Sequence, residues 1–255
     1  MSERAGGRRF SPGPTRTLDP WDGVLLVDKP PGWTSHDVVN KIRNRFKIKK
    51  VGHGGTLDPM ATGLLLILTG RGTKLSGEIM GSDKEYEGEI TLGSSTTTQD
   101  AEGDVVEARS WEHVDPPQLA AAMAGLTGDQ MQMPPMVSAI KKDGVPLYKL
   151  ARKGETVERE PRFIHVYEFR MLEADLPRAR FRVKCTKGTY VRTLCHDIGE
   201  TLGCGAHLSG LRRTASGPYR IEQAHGLEDV VGMTEEQLWS ALVPLHQARL
   251  LSPLP

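Results

Sequence analysis

The stretch Val51 to Pro59, VGHGGTLDP, gathers three glycines, one imidazole and one carboxylate into nine residues. Glycine and proline at that density predict a loop. A glycine-rich loop first suggests phosphate binding. That chemistry needs Gly-Lys-Ser/Thr opening a helix, and here Asp58-Pro59 stands in its place. Asp58 at the loop tip, anchored by the apolar run after Gly63, is a candidate nucleophile or base. Taken alone, the local sequence favours the common fate of an aspartate beside Gly and Pro, a turn or cap. His53, set among glycines with no helix or sheet core to absorb it, reads equally well as a functional or a plain exposed histidine.

Cys195, His196 and Asp197 name the members of a thiol triad, but consecutive helical residues point about 100° apart and cannot converge. The three cysteines, Cys185, Cys195 and Cys204, cannot all pair and lack zinc-site spacing, so reduced, mostly buried thiols are expected and no metal site. Tyr86 and Tyr190 stand out because aromatics are few, although core packing is the usual fate of a tyrosine. Two basic runs remain: Lys41, Arg43, Arg45, Lys47, Lys49 and Lys50, and Arg178, Arg180, Arg182, Lys184, Lys187 and Arg192. Each alone reads as a solvated face.

The elements that position these residues follow from periodicity. Gly23 to Asp28 is a short buried strand closed by Lys29-Pro30-Pro31-Gly32. A helix follows, with Ser35 as its N-cap and Val38, Val39, Ile42 and Phe46 as its apolar stripe. Leu64 to Leu68 is a fully buried strand, and Glu85 to Leu92 alternates as a half-exposed one. Pro116 and Pro117 open a helix through Ala124. Residues 130 to 160 read as an extended insertion: MQMPPM, a Lys-Lys-Asp-Gly turn, a helical stretch from Leu147, and Gly154 as its C-cap. Phe163 to Phe169 alternates as a strand. Ala179, Phe181, Val183 and Cys185 alternate with Arg180, Arg182 and Lys184, predicting one buried face and one basic ladder. Val191, Leu194, Cys195, Ile198 and Leu202 recur at helical spacing up to Gly203, leaving Arg192 off the stripe and free to point into a site. An amphipathic helix over Glu235 to Leu242 closes the chain. Irregular mixing of strands and helices predicts an α+β fold with a mostly antiparallel sheet.

A chain of 255 residues with 38% hydrophobic content is ordinary for a packed soluble protein. Net charge +1 argues against indiscriminate nucleic-acid coating, so any basic surface is local. The longest apolar run is far short of the roughly 18 residues of a membrane span. Residues 1 to 19 lack the apolar core of a secretory signal and read as a solvated tail, which predicts a cytoplasmic protein.

Five segments carry a family resemblance: Asp28-Lys29-Pro30-Pro31-Gly32, the run Gly52 to Gly63, Asp83-Lys84-Glu85-Tyr86, Lys187-Gly188-Thr189-Tyr190-Val191-Arg192, and Gly203 to Leu208 with Leu211-Arg212-Arg213. In this order they resemble the TruB family, the tRNA pseudouridine-55 synthases, over about residues 20 to 220. The resemblance implies a pseudouridine synthase fold: a central mixed, mostly antiparallel sheet flanked by helices, with the cleft across its middle and the 130 to 160 insertion gripping the T stem-loop of tRNA. It implies a catalytic domain over 20 to 225 and a helical extension over 226 to 255. Many relatives carry a complete C-terminal RNA-binding module, and such a complete module is expected to be absent from these 255 residues.

By the same correspondence Asp58 is the catalytic aspartate, Arg192 its partner, and Tyr86 and Tyr190 the aromatics around the target base. His53 enters the space left by the flipped nucleotide, Leu211 lines the uracil pocket, and Asp100 is a polar residue near the cleft. Lys29 is implied on the substrate side. The residues before Asp100 depart from the more charged version of many relatives.

Pseudouridine formation breaks the bond from ribose C1′ to uracil N1, turns the base and rejoins C1′ to C5, oxidising nothing. No cofactor, metal or small-molecule partner is expected, only tRNA, acted on by a monomer. One carboxylate can attack the base or act at the sugar, and both routes stay open. Two rivals compete: a glycosylase, which normally needs a second carboxylate to activate water, and a tRNA-folding chaperone.

Overall fold

The computed structural model describes residues 19–138, 141–142, 145–146, 157 and 159–251. The expected tail to residue 18, the helical stretch from Leu147 and its Gly154 cap lie outside the described residues. The first half of the chain runs β1 (Gly23–Lys29), α1 (Ser35–Phe46), β2 (Val51–His53), β3 (Thr62–Thr69), α2 (Ser76–Gly81), β4 (Lys84–Leu92), β5 (Ser94–Thr96), β6 (Val105–Ala108), α3 (Pro116–Gly125) and β7 (Gly128–Gln132). A two-rung hairpin of β8 (Lys141–Lys142) and β9 (Val145–Pro146) precedes β10 (Arg162–Asp175), β11 (Arg178–Cys185), α4 (Val191–Thr201) and β12 (Ala206–Ser216). Short pieces finish it: β13 (Tyr219–Arg220), β14 (His225–Gly226), α5 (Leu227–Gly232), α6 (Glu235–Ala241), β15 (Val243–Pro244) and α7 (Leu245–Leu251).

One mixed sheet holds the fold in the order β14-β1-β3-β12-β4-β11-β10-β7. Among the described residues β12 runs parallel to β3 and β14 to β1, and its other pairs are antiparallel. The α+β class and the largely antiparallel central sheet expected from sequence are what the chain forms.

The two halves of the sheet are covered differently, which explains their sequence patterns. Around β1 and β3 both faces are dry. Leu25, Val27, Leu65 and Ile67 pack with α1, α5 and α6, while Val24, Leu26, Leu64, Leu66 and Leu68 pack with α2 and α7. Strands buried on both sides need continuous apolar runs. In β11, Ala179, Phe181, Val183 and Cys185 face α3 and α4, and the alternate residues face outward, so one covered face makes a period of two. Tyr86 and Leu211 touch both the core under α1, α5 and α6 and the core between β11 and helices α3 and α4, which places the seam between these two at the middle of the sheet.

Several expectations change. The N-cap of α1 is Thr34, in a capping box with Asp37, and Ser35 is the first, buried helical residue. Val51–His53 is not loop but a short strand on β3. Residues 130 to 132 are no insertion either, since β7 pairs with β10 in the main sheet. In β10 a bulge between Val166 and Glu168 turns Phe169 inward while Phe163 and Tyr167 stay exposed. The basic ladder is paired: Arg180, Arg182 and Lys184 stand in register with Glu89, Glu87 and Glu85 of β4, and form ion pairs with Glu87 and Glu85, while Arg178 stands opposite Thr91. All three cysteines are free and buried. No helix among the described residues is long and apolar enough to cross a membrane.

Candidate active site

The loop from Gly54 to Ala61 carries Asp58, and four sets of buried contacts fix its course. Ser35 Oγ accepts from the Leu57 N–H at 2.8 Å and donates to the Leu57 carbonyl at 3.1 Å. Lys29, fully buried, donates from Nζ to the carbonyls of Pro30, Trp33 and Pro59 at 2.9, 2.7 and 3.1 Å. Arg213 on β12 donates to Leu64 O at 2.7 Å, Thr56 O at 3.3 Å and Gly55 O at 3.2 Å. The Gly32 N–H reaches Pro59 O at 2.9 Å. Each cation here is spent on backbone carbonyls, the partners a loop leaves over when it forms no ladder. Where β3 passes β12 the chain requires Gly63: its φ is +94° and a Cβ would stand 2.4 Å from Arg213 O.

Arg192 enters from the first turn of α4. Close approach of the helix to β12 sets its position, since a Cβ on Gly199 would lie 2.0 Å from the Ala206 nitrogen. The guanidinium is buried and faces two carboxylates: Nε lies 3.0 Å from Asp58 Oδ2 and Nη1 3.4 Å from Asp100 Oδ2. It also donates to Thr98 O and Val137 O, both at 2.9 Å. Asp100 is buried beneath it, accepting from Thr98 Oγ1 at 2.5 Å and the Glu102 N–H at 3.1 Å. Asp58 alone of the pair retains an open side, with 40% of its side chain exposed.

Burial pushes the Asp58 carboxyl above its usual range; Arg192 and Lys29 oppose that, and Asp100 adds to it. Burial also raises the Tyr86 and Tyr190 phenols, so both are neutral at physiological pH. It lowers Lys29 to about 8, against the pull of Asp58 and Glu102, and lowers His53, with Arg213 and His36 acting in the same direction.

Asp58 opens into a cavity of about 290 Å³ lined also by Tyr86, Tyr190, Arg192, Leu211 and Arg213. Such a cleft offers one ionisable oxygen held by a planar cation, two neutral aromatic side chains and an apolar wall. It suits a flat, uncharged ring presented to a single carboxylate.

A family model described as TruB family pseudouridylate synthase (N terminal domain) matches residues 43–191, and one described as tRNA pseudouridylate synthase B C-terminal domain matches 192–249. The chain belongs to the TruB family. The border between the two matches falls inside the first turn of α4 of this TruB chain, and β12 from the second lies between β3 and β4 from the first, so both build one sheet. The chain is 52% identical over 227 residues to a tRNA pseudouridine synthase B of Opitutus terrae, covering 89% of itself and 94% of that relative. It also resembles the solved structure of a Cbf5-Nop10-Gar1 complex, with 33% identity and a TM-score of 0.70, over 90% of this chain and 62% of that one. A structure of an H/ACA RNP bound to a substrate RNA containing 2′-deoxyuridine matches at 28% identity and TM-score 0.66, over 92% of this chain and 68% of that one.

Of the residues expected at the site of this TruB chain, Asp58, Tyr86, Tyr190, Arg192 and Leu211 converge on the cavity. Three do not line it. His53 is half-buried on β2, with the Gly55 N–H 3.4 Å from Nδ1. Asp100 lies under Arg192, and Lys29 is a fully buried clamp instead of a substrate-facing cation. Arg192 is likewise buried, not merely off the apolar stripe. Arg213, Ser35 and Lys84 escape sequence reasoning as site residues. Lys84 also lines the cavity and is buried, with its Nζ on the carbonyls of Ile79, Met80 and Ser82. Arg213 and Lys84 stand inside the matching segments, and that is the available signal; Ser35 passes for a cap because Thr34 and Ser35 are adjacent.

Proposed function

We propose that the chain converts uridine 55 in the T loop of tRNA to pseudouridine, with Asp58 as its catalytic carboxylate. The Asp58–Arg192 pair at 3.0 Å, opening into a cleft walled by Tyr86, Tyr190 and Leu211, is the observation that supports this most. Burial favours the protonated acid, and Arg192 counters it through a charge-assisted hydrogen bond that orients the open oxygen. That oxygen acts while the C1′–N1 bond breaks. The freed uracil turns between Tyr86 and Leu211, C1′ joins C5, and the proton displaced from C5 is balanced by one gained at N1. Attack at the base and action at the sugar both require this same ionised oxygen.

Flipping the uridine costs a few kcal/mol, which aromatic stacking and the His53 imidazole filling the vacated space offset. Burial keeps that imidazole neutral, suiting a filler among bases. In this reading Lys29 and Asp100 hold the machinery, and the segment that follows β7, up to about residue 160, grips the T stem-loop. RNA phosphates meet the exposed lysines at the end of α1. The protein works as a monomer in the cytoplasm. Asp100 does not make the site a glycosylase, because it is buried, its oxygens are held by Thr98, Glu102 and Arg192, and it does not line the cleft.

Incubating the purified protein with unmodified tRNA and mapping pseudouridine at nucleotide resolution tests the proposal. Modification at position 55 without free uracil is expected. Release of uracil, or modification elsewhere, would overturn it.

A further inference from the structure

Tyr190 is the N-cap of α4, yet its side chain caps nothing. Its carbonyl accepts the first helical hydrogen bonds, from Thr193 and Leu194, while its own N–H has no partner within the helix. The partner comes from elsewhere. Gln132, the last residue of β7, turns its amide onto the Tyr190 backbone: the Tyr190 N–H donates to Oε1 at 2.8 Å, and Nε2 donates to the Tyr190 carbonyl at 3.0 Å. One side chain thus reproduces the two-point pairing of a strand neighbour.

Gln132 is 3% exposed, between Met131 at 62% and Met133 at 42%. Met131 in this edge strand and Met133 just past it are exposed while the amide between them is buried, which places that amide for its hydrogen bonds. Five residues on, Val137 O accepts from Arg192 at 2.9 Å, and next to it the buried Ser138 hydroxyl stands beside the Tyr190 phenol. Between them Pro134 O is held by Arg159 at 2.9 Å. Segment 132–138 is therefore fastened at both ends to the turn that presents Tyr190 and Arg192.

We propose that Gln132 is a positioning residue for the reaction: its amide sets the backbone of Tyr190, and through the first turn of α4 the approach of Arg192 to Asp58. This rests on the pseudouridine synthase reading given above. It also gives segment 132–138, which continues into the stretch proposed to grip RNA, a direct mechanical link to the cleft.

The test is single-turnover pseudouridine formation on a T-arm stem-loop at saturating RNA, with RNA affinity measured in parallel. Gln132→Met keeps the length and removes both hydrogen bonds. The rate is expected to fall about 10- to 100-fold, the effect of a displacement of about 1 Å in a catalytic group, while affinity changes less than about threefold. Gln130→Met, whose parent amide bonds only Leu126 O, should leave the rate unchanged. Gln132→Glu covers the case in which the Met variant does not fold. Its acid form donates to the Tyr190 carbonyl as the amide does and its carboxylate cannot, so its deficit relative to the parent should shrink as pH falls. A Met variant at the parent rate, a loss confined to affinity, or a Glu deficit flat with pH would each overturn the role. A parent protein that forms no pseudouridine would instead overturn the function reading, and this inference with it.

Discussion

The two walls of the cleft each contribute one buried arginine, and the two do different work. On the α4 wall Arg192 faces two carboxylates, so it governs the charge and direction of Asp58. On the β12 wall Arg213 meets no carboxylate among the described residues and donates to three carbonyls, so it governs where the loop backbone runs. A guanidinium with carboxylate partners shapes electrostatics, and one with carbonyl partners shapes geometry. Two arginines, at 192 and 213, are equivalent in composition and opposite in consequence.

The sharpest way to break this division is to remove the carboxylate. Asp58→Asn should lower single-turnover pseudouridine formation by at least about 10³-fold, the upper part of what one acid–base group supplies. Folding and tRNA affinity should stay near parental, because the side chain is partly open and holds no core together. Turnover near the parent rate would remove Asp58 from the chemistry. Arg213→Met should act on stability, by about 3 kcal/mol, since three carbonyls lose their donor. Chemical denaturation reads this directly. Arg192→Lys should cost about 10²-fold in turnover, because lysine keeps the charge but loses the planar fork. Its loss of stability should be smaller than that of Arg213→Met. Combined with Asp58→Asn, it should lower turnover no further.

Acid titration sharpens the α4 side of the comparison. Burial raises the Asp58 pKa, so the ionised fraction disappears at a higher pH than for an ordinary aspartate, and the rate should decline correspondingly early as pH falls. The stability sign is the reverse. The folded chain holds this proton more tightly than the unfolded chain, so Asp58's contribution is fully present below the ordinary value of 3.8 and is lost as pH rises through the raised one. Rate and denaturation profiles of the parent and Asp58→Asn, over the same pH range, separate the two effects.

How much of this is legible in the sequence depends on which force dominates locally. The runs in β1 and β3, the alternation of β11 and the stripe of α1 are readable because burial sets their period. β12 is not. Its buried set includes Arg213 and Ser216, and two register shifts, between Leu208 and Gly210 and between Arg213 and Ala215, break the period of two. The resemblance alone puts Lys29 on the substrate side, and nothing local in the sequence announces the three carbonyls waiting for it in the interior. The α1 cap is decided by Asp37 standing three residues after Thr34, a signal that the sequence does carry. Asp58, Tyr86 and Arg192 come together only through the family resemblance, since their convergence depends on contacts from distant parts of the chain.

The two basic runs extend the lesson to the surface and supply the mildest prediction. In β11, Arg182 lies 2.7 Å from Glu85, Arg180 3.6 Å from Glu87 and 3.5 Å from Glu173, and Lys184 3.7 Å from Glu85. Their charge is largely cancelled across the sheet, and an RNA phosphate would have to compete with glutamates already in place. Lys47, Lys49 and Lys50 are exposed, and no carboxylate among the described residues is ion-paired with them. Replacing these three with glutamine should flatten the salt dependence of tRNA binding, by nearly one unit of log–log slope for each phosphate no longer neutralised. Replacing Arg180 and Arg182 with glutamine should change that slope by much less, because removing a paired cation also frees the glutamate that faced it. Turnover at saturating RNA should hold in both sets, since neither lies at the carboxylate. Equal slope changes from the two sets would mean that RNA displaces the sheet's own glutamates, and that the ladder is a binding surface after all.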